Sequence, residues 1–306
     1  MTANSKGVIA ALLSNILFSM LFLYGKFMQP LTGTDLFAWR MVTMLFGFLA
    51  LLSITRSWGV AFTFIQSVGK NWRRWGLIML PTPILGFQLW LFMWGPVNGK
   101  GIDLAMGYFL FPLAMAFAGV VIFRERISAL QKLSLALAAS GVAVELIRTG
   151  AFSWVTAAVF TTYPIYYLLR RWQKVPPLTG LVLDSIVLAP LALAYLLTAS
   201  GSLDMIDQQP LLIVWIIALG IHSALAMKLN LTANSLLPVV VFGMLSYLEP
   251  ALLFVLAITV LGEPMVWDSL ISYGLVWAGI AVMLYHSYRQ MRIELLSDKS
   301  EMNTKL

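Results

Sequence analysis

Uncharged apolar stretches of about twenty residues recur from end to end of this 306-residue chain, and that recurrence restricts its fold more than any other feature. With 60% hydrophobic and 11% charged residues, the chain carries more apolar surface than one soluble core can enclose. A helix rises about 1.5 Å per residue, so roughly 20 apolar residues cross a hydrocarbon layer about 30 Å thick. Ten stretches meet that length: 7–28, 35–54, 75–95, 103–123, 129–147, 152–169, 178–199, 210–227, 236–261 and 265–285. Runs this long and continuous read as helices, whereas a transmembrane barrel reads as short segments of alternating polarity. The expected fold class is therefore all-α, a polytopic membrane protein of ten transmembrane helices. The first stretch lacks a clear small-residue cleavage site and is followed at once by another, so it reads as a retained span rather than a signal peptide.

The basic residues orient these spans. Starting from a cytoplasmic amino terminus, sixteen of the 20 lysines and arginines fall on or near the cytoplasmic side, leaving Lys26, Arg40, Lys100 and Arg148 toward the outside. Both termini are expected to be cytoplasmic, with the surplus of +7 facing anionic lipid head groups, so the basic balance calls for no nucleic-acid partner. The cluster Arg170-Arg171-Trp172-Gln173-Lys174 reads as a solvated interfacial loop. The absence of cysteine excludes disulfides, thiol catalysis and cysteine-based metal sites.

Pro112 and Pro250 each follow an aromatic-containing lead-in and precede an apolar run that ends thirteen residues later on a glutamate, Glu125 and Glu263. Five spans precede the Gly150 region and five follow, with no Pro/Ser-rich linker between them. Because five is odd, the second half enters from the opposite side. The expectation is two inverted five-helix repeats, 1–149 and 150–290, with 291–306 a cytoplasmic tail; internal repeats of this kind mark secondary transporters. Recurrent proline kinks and helix-end acids are the simpler alternative.

Charges inside spans locate the candidate chemistry. Glu249 lies about halfway along the ninth span, where an ionised group needs a partner or a wet cavity. It is the leading substrate-binding candidate, for a cargo amine or a coupling proton; a bond to unwound backbone beside Pro250 is the alternative. Arg40 and Lys26 lie at similar depth near the outward ends of adjacent helices, where both would attract carboxylates. Arg40 can hold one by two parallel bonds, while Lys26 is equally placed to snorkel to the head groups. Asp184, in the seventh span, reads equally as a proton site and as a helix-to-helix hydrogen bond. Trp90 and Trp94 share one helical face, with Tyr108 and Phe111 across from it, and would make an aromatic wall if that face turns inward. Tyr163 and Tyr167 share a face of the sixth span and would line the inner vestibule; packing is the alternative for any one ring. Glu125, Glu145 and Glu263 read as boundary residues, and Glu125 as bonded to loop arginines. Only His222 lies within a span and His286 ends the last one. No metal-ligand pair, phosphate-binding loop or nucleophile motif accompanies them, so no enzyme, cofactor or metal is expected.

The segment Gln88-Leu89-Trp90-Leu91-Phe92-Met93-Trp94-Gly95-Pro96-Val97-Asn98-Gly99, followed by Ala105-Met106-Gly107-Tyr108-Phe109-Leu110-Phe111-Pro112-Leu113, resembles the RarD-like branch of the EamA family within the drug/metabolite transporter superfamily. Tyr24 with Lys26, Arg40, Asp184 with Pro190, and Leu237-Pro238 followed by Gly243, Tyr247 and Pro250 agree with it. Phe18-Ser19 and Glu249 depart from the pattern, at positions suited to encode cargo. The resemblance implies an inner-membrane exporter or facilitator of amino acids and related metabolites, with a central cavity open to either side in turn and Tyr247 among its lining. Combined with the residues, the reading is an alternating-access exporter of small polar zwitterions, opine-type metallophores included. Inward proton movement through Glu249 or Asp184 would drive it. A ligand-binding sensor or channel-like facilitator is the rival, and nothing here sets the oligomeric state.

Overall fold

A computed structural model describes residues 3–150, 152–259 and 269–304. The described residues form fifteen helical segments and no strand: α1 (Ala3–Leu21), α2 (Tyr24–Phe27), α3 (Gly33–Ile54), α4 (Trp58–Val68), α5 (Trp72–Met79), α6 (Thr82–Val97), α7 (Gly101–Val121), α8 (Ala129–Thr149), α9 (Trp154–Gln173), α10 (Pro177–Thr198), α11 (Ser202–Gln208), α12 (Leu211–Leu236), α13 (Val239–Leu245), α14 (Leu248–Thr259) and α15 (Ser269–Thr304).

Local chemistry fixes where several begin and end. At the start of α3, Thr32 and Asp35 form a reciprocal capping box, the Asp35 amide donating to Thr32 Oγ1 at 3.2 Å and the Thr32 amide to Asp35 Oδ2 at 3.0 Å. Ser128 and Gln131 repeat the device at α8. α8 closes on Gly150, whose φ of 59° lies in the left-handed region that suits a residue without Cβ. α12 ends where Pro238 forces Leu237 into the extended conformation.

Among the described residues, eight helical stretches are long and apolar enough to cross a membrane: Ala3–Phe27, Gly33–Ile54, Trp72–Val97, Asp103–Val121, Ala129–Thr149, Pro177–Thr198, Leu211–Leu236 and Leu270–Gln290. The chain is an all-helical polytopic membrane protein. Two of the ten expected spans differ in kind. The sixth is present as the 20-residue α9 but is more polar, ending in Arg170 and Arg171. The ninth is broken at Ser246-Tyr247 into α13 and α14, and residues 260–268, including Glu263, lie outside the described residues. Between expected spans, α4 and α11 fill segments read as loops, and α15 continues to Thr304.

Polarity is arranged as a hydrocarbon solvent demands. Large apolar side chains such as Phe46, Phe117, Leu191, Leu197 and Ile221 face outward, while Asn15, Arg40, Gln88 and Asp184 are buried. Small residues let helices approach: a Cβ on Gly220 would come within 2.3 Å of Thr43 Oγ1, so α12 presses directly on α3. α8 lies along α15, where Ser134 Oγ donates to Gly279 O at 2.6 Å. α1 packs on α12 and α14, α3 on α10, α6 on α9, and α7 on both α9 and α13. These pairings leave a cavity at the centre.

Candidate functional site

The cavity is walled by Phe18 of α1, Arg40 of α3, Leu89 and Phe92 of α6, Tyr108 and Phe111 of α7, Tyr163 and Tyr167 of α9, and Asn230 of α12. The interrupted ninth span completes it with Ser246 at the break and Glu249 and Pro250 at the start of α14. In this conformation the cavity is narrow, with room for little more than a water molecule, so admitting a metabolite requires it to widen.

Arg40 is fully buried. Its Nε donates to Ser223 Oγ at 2.9 Å, and its guanidinium carbon stands 5.6 Å from the centroid of the Phe92 ring. Nη1 and Nη2 have no hydrogen-bond partner among the described residues. Glu249 is half-buried and enters the same cavity from the first turn of α14. Its backbone carbonyl accepts from Ser19 Oγ at 3.3 Å, but among the described residues no hydrogen bond or ion pair holds its carboxylate. A buried cation and an acid therefore share one cavity without pairing to each other. Such an arrangement is costly unless a ligand or water answers both.

Aromatic rings set the remaining walls. Phe111 lies 5.4 Å from Tyr163 and 5.6 Å from Tyr167, ring centre to ring centre, and Tyr167 Oη donates to Tyr163 Oη at 3.1 Å. Tyr108 and Phe111 of α7 thus line the cavity with Tyr163 and Tyr167. Trp90 and Trp94 do not. They stack at 5.1 Å on another face of α6, where Trp90 Nε1 donates to Thr34 Oγ1 at 3.2 Å and borders a separate apolar groove between α3, α6 and α10. Leu89 and Phe92 take the expected inward place. Lys26 is exposed on α2 and does not line the cavity that Arg40 enters. Tyr247 is fully buried in the break and lies off the cavity wall.

Asp184 belongs to a different centre. Fully buried in α10, it pairs with Arg170 and accepts from Thr82 Oγ1 at 2.6 Å and Tyr166 Oη at 3.3 Å. This is the helix-to-helix bond of its two readings. Arg170 is only 4% exposed and also donates to Ile78 O at 2.9 Å, so the Arg170–Arg171 pair ends a helix inside the protein and is not a solvated loop. Arg171 Nη1 donates to Asn234 O at 2.6 Å and Leu237 O at 2.5 Å. Glu125 stands 4.0 Å from Arg171, and its carboxylate caps α13 by accepting from the Val239 and Val240 amides at 2.6 and 2.9 Å. Glu145, one turn from the end of α8, is buried, pairs with Arg148 and accepts from Ser272 Oγ at 2.5 Å. His222 Nδ1 lies 3.3 Å from Tyr24 Oη, a packing role.

Asn230, Ser246 and Phe92 were not singled out from the sequence. Asn230 lies in a mixed stretch with Lys228, Thr232, Asn234 and Ser235, beyond the expected end of the eighth span at Met227, so its sequence context carries little signal.

No family model matches the chain. Individual relatives match nearly its full length. An uncharacterized transporter of Haemophilus influenzae is 43% identical over 92% of this chain and 95% of its own. The chloramphenicol-sensitive protein RarD of Pseudomonas aeruginosa is 34% identical over 95% of this chain and 98% of its own. A solved crystal structure superposes with a TM-score of 0.67 over 94% of this chain and 99% of that one; at 17% identity this likeness concerns the fold alone. Relatives matched end to end at these identities show that the chain is a membrane transporter belonging to the RarD-like branch of the EamA family.

Proposed function

We propose that this transporter exports small amino-acid-like zwitterions across the bacterial inner membrane by alternating access, binding them between Arg40 and Glu249. The observation that carries the reading is the pair of unanswered Arg40 nitrogens facing a cavity that also receives the unpaired Glu249 carboxylate. A guanidinium fork fits a carboxylate, and a carboxylate fits an ammonium, so a zwitterion with both ends satisfies what the protein leaves open. The aromatic walls exclude water and strengthen both contacts.

The architecture supports two inverted five-helix repeats around this site. If α1, α3, α6, α7 and α8 form one half and α9, α10, α12, α13–α14 and α15 the other, exchanging the halves maps contacts onto contacts: α1 on α12 answers α6 on α9, and α7 on α9 answers α1 on α14. The pairs α3 with α10, α7 with α13 and α8 with α15 map onto themselves. A helix broken at the cavity is a recurring part of such transporters, as is a site at the repeat interface. Proton entry through Glu249 would couple export to the membrane gradient.

Proteoliposome counterflow tests the binding scheme. A zwitterionic amino acid should exchange, while its carboxamide, lacking the carboxylate, and its deaminated acid, lacking the amine, should each exchange at least about tenfold more slowly. Equal exchange of all three sinks the scheme, and binding without flux restores the sensor alternative.

A further inference from the structure

Asn230 brings to the cavity wall an acceptor that nothing among the described residues satisfies. It lies in the carboxyl-terminal part of α12, is 5% exposed, and lines the same space as Arg40 and Glu249. A neighbour on α1 fixes which way its amide points. Ser14 Oγ commits its one proton to Ala11 O at 2.9 Å, so toward Asn230 it can only accept, and Asn230 Nδ2 donates to it at 3.4 Å. The flipped amide would set two acceptors against each other. Asn230 Oδ1 is thereby the free end, and it has no partner among the described residues.

α1 contacts both Asn230 and Glu249. Ser14 meets Asn230, and Ser19 meets the Glu249 backbone. Five residues of helix advance about 7.5 Å along its axis, and Asn230 and Glu249 both line the one narrow cavity, so a ligand atom between them can meet both side chains. We infer that Asn230 Oδ1 and the Glu249 carboxylate together accept two N–H bonds from the ammonium of the cargo, which makes Asn230 a specificity-determining residue for lightly substituted amines. This rests on the zwitterion reading of the cavity and adds the chemistry of one end. A primary ammonium offers three N–H donors, its monomethyl derivative two, the dimethyl one and the trimethyl none. Two acceptors are both satisfied only by the first two.

The test is calorimetric binding to the purified full chain in lipid nanodiscs. Its probes are the tightest binder among the twenty standard L-amino acids and the N-methyl, N,N-dimethyl and N,N,N-trimethyl derivatives of that probe. In the unsubstituted protein, affinity should hold through the monomethyl probe and fall about tenfold or more at the dimethyl. In Asn230→Leu, one acceptor remains. Affinity for the unmethylated probe should fall by about the same factor, and the step should move to between dimethyl and trimethyl. A step that stays in place in Asn230→Leu, or no step before trimethyl in the unsubstituted protein, overturns the role of Asn230 while leaving the zwitterion site standing. The second of those readouts needs no variant to fold. Failure of every standard amino acid to bind overturns the zwitterion site and this inference with it.

Discussion

Arg40 keeps one bond, to Ser223, and offers its two terminal nitrogens to the cavity. A lysine there would keep the charge but present a single point, and it would lose the planar contact with Phe92. Arg40→Lys should therefore reduce counterflow of a zwitterionic amino acid by about tenfold or more, with thermal stability close to the unsubstituted protein. Unchanged flux would remove the clamp. Glu249→Gln separates binding from coupling: if the carboxylate carries the driving proton, gradient-driven efflux stops while energy-independent exchange continues, and if it holds the amine, both weaken. Unaltered rates in both assays would make Glu249 a structural partner of the broken helix. These two residues were legible in the sequence because ionised groups deep in apolar runs are costly and rarely idle. Sequence depth, however, gives the level of a side chain and not its direction around the helix axis. Lys26 and Arg40 share a level yet part company, and Trp90 and Trp94 share a face that turns from the cavity.

At the scale of elements, the end of α9 ties the two sides of the cavity together. Arg170 joins it to α5 through Ile78 and to α10 through Asp184, which also accepts from Thr82 of α6, and Arg171 joins it to α12 and to Glu125, the cap of α13. Tyr163 and Tyr167 of the same helix line the cavity one to two turns away. Asp184→Asn should destabilise the protein by about 3–5 kcal/mol, since it strands a buried guanidinium. Adding Arg170→Gln should return part of that loss, as scored by thermal unfolding in detergent, and strictly additive losses would contradict the coupling. Arg171→Ala acts differently, because it frees α9 from the carbonyls of Asn234 and Leu237. With Ser246→Cys as a reporter in a chain that has no cysteine, impermeant thiol labelling from that side should rise several-fold; no rise means that these bonds do not close the cavity. None of this was visible in a window of sequence. Two adjacent arginines with a lysine close behind look like a loop until Asp184 and the carbonyls of Ile78, Asn234 and Leu237, all distant in sequence, hold them.

Across the whole molecule, the two proposed halves carry opposite charges at matching places. Arg40 is the eighth residue of α3 and Asp184 the eighth of α10, helices that pack on each other. Arg170 neutralises Asp184, while Arg40 is left open to the cavity. One half thus holds a paired charge where the other holds an open one, and the asymmetric cargo proposed above suits that difference. The arrangement requires the halves to be inserted in opposite senses, which the distribution of basic residues predicts and which labelling can measure. Lys70, between α4 and α5, and Gln208, at the end of α11, are both exposed. Ser202, although in the same segment as Gln208, is unsuitable because it is buried and accepts from Trp39 Nε1 at 3.0 Å. In intact spheroplasts an impermeant maleimide should label Gln208→Cys at once and Lys70→Cys only after the membrane is permeabilised. The absence of any native cysteine makes each signal unambiguous. Labelling of both positions from the same side would place an even number of crossings between residues 70 and 208. Five crossings, α6 through α10, are what the inverted arrangement demands there, including α9, whose polarity sets it apart from the eight apolar spans. A same-side result would therefore take α9 out of the membrane and dissolve the symmetry on which the shared cavity depends.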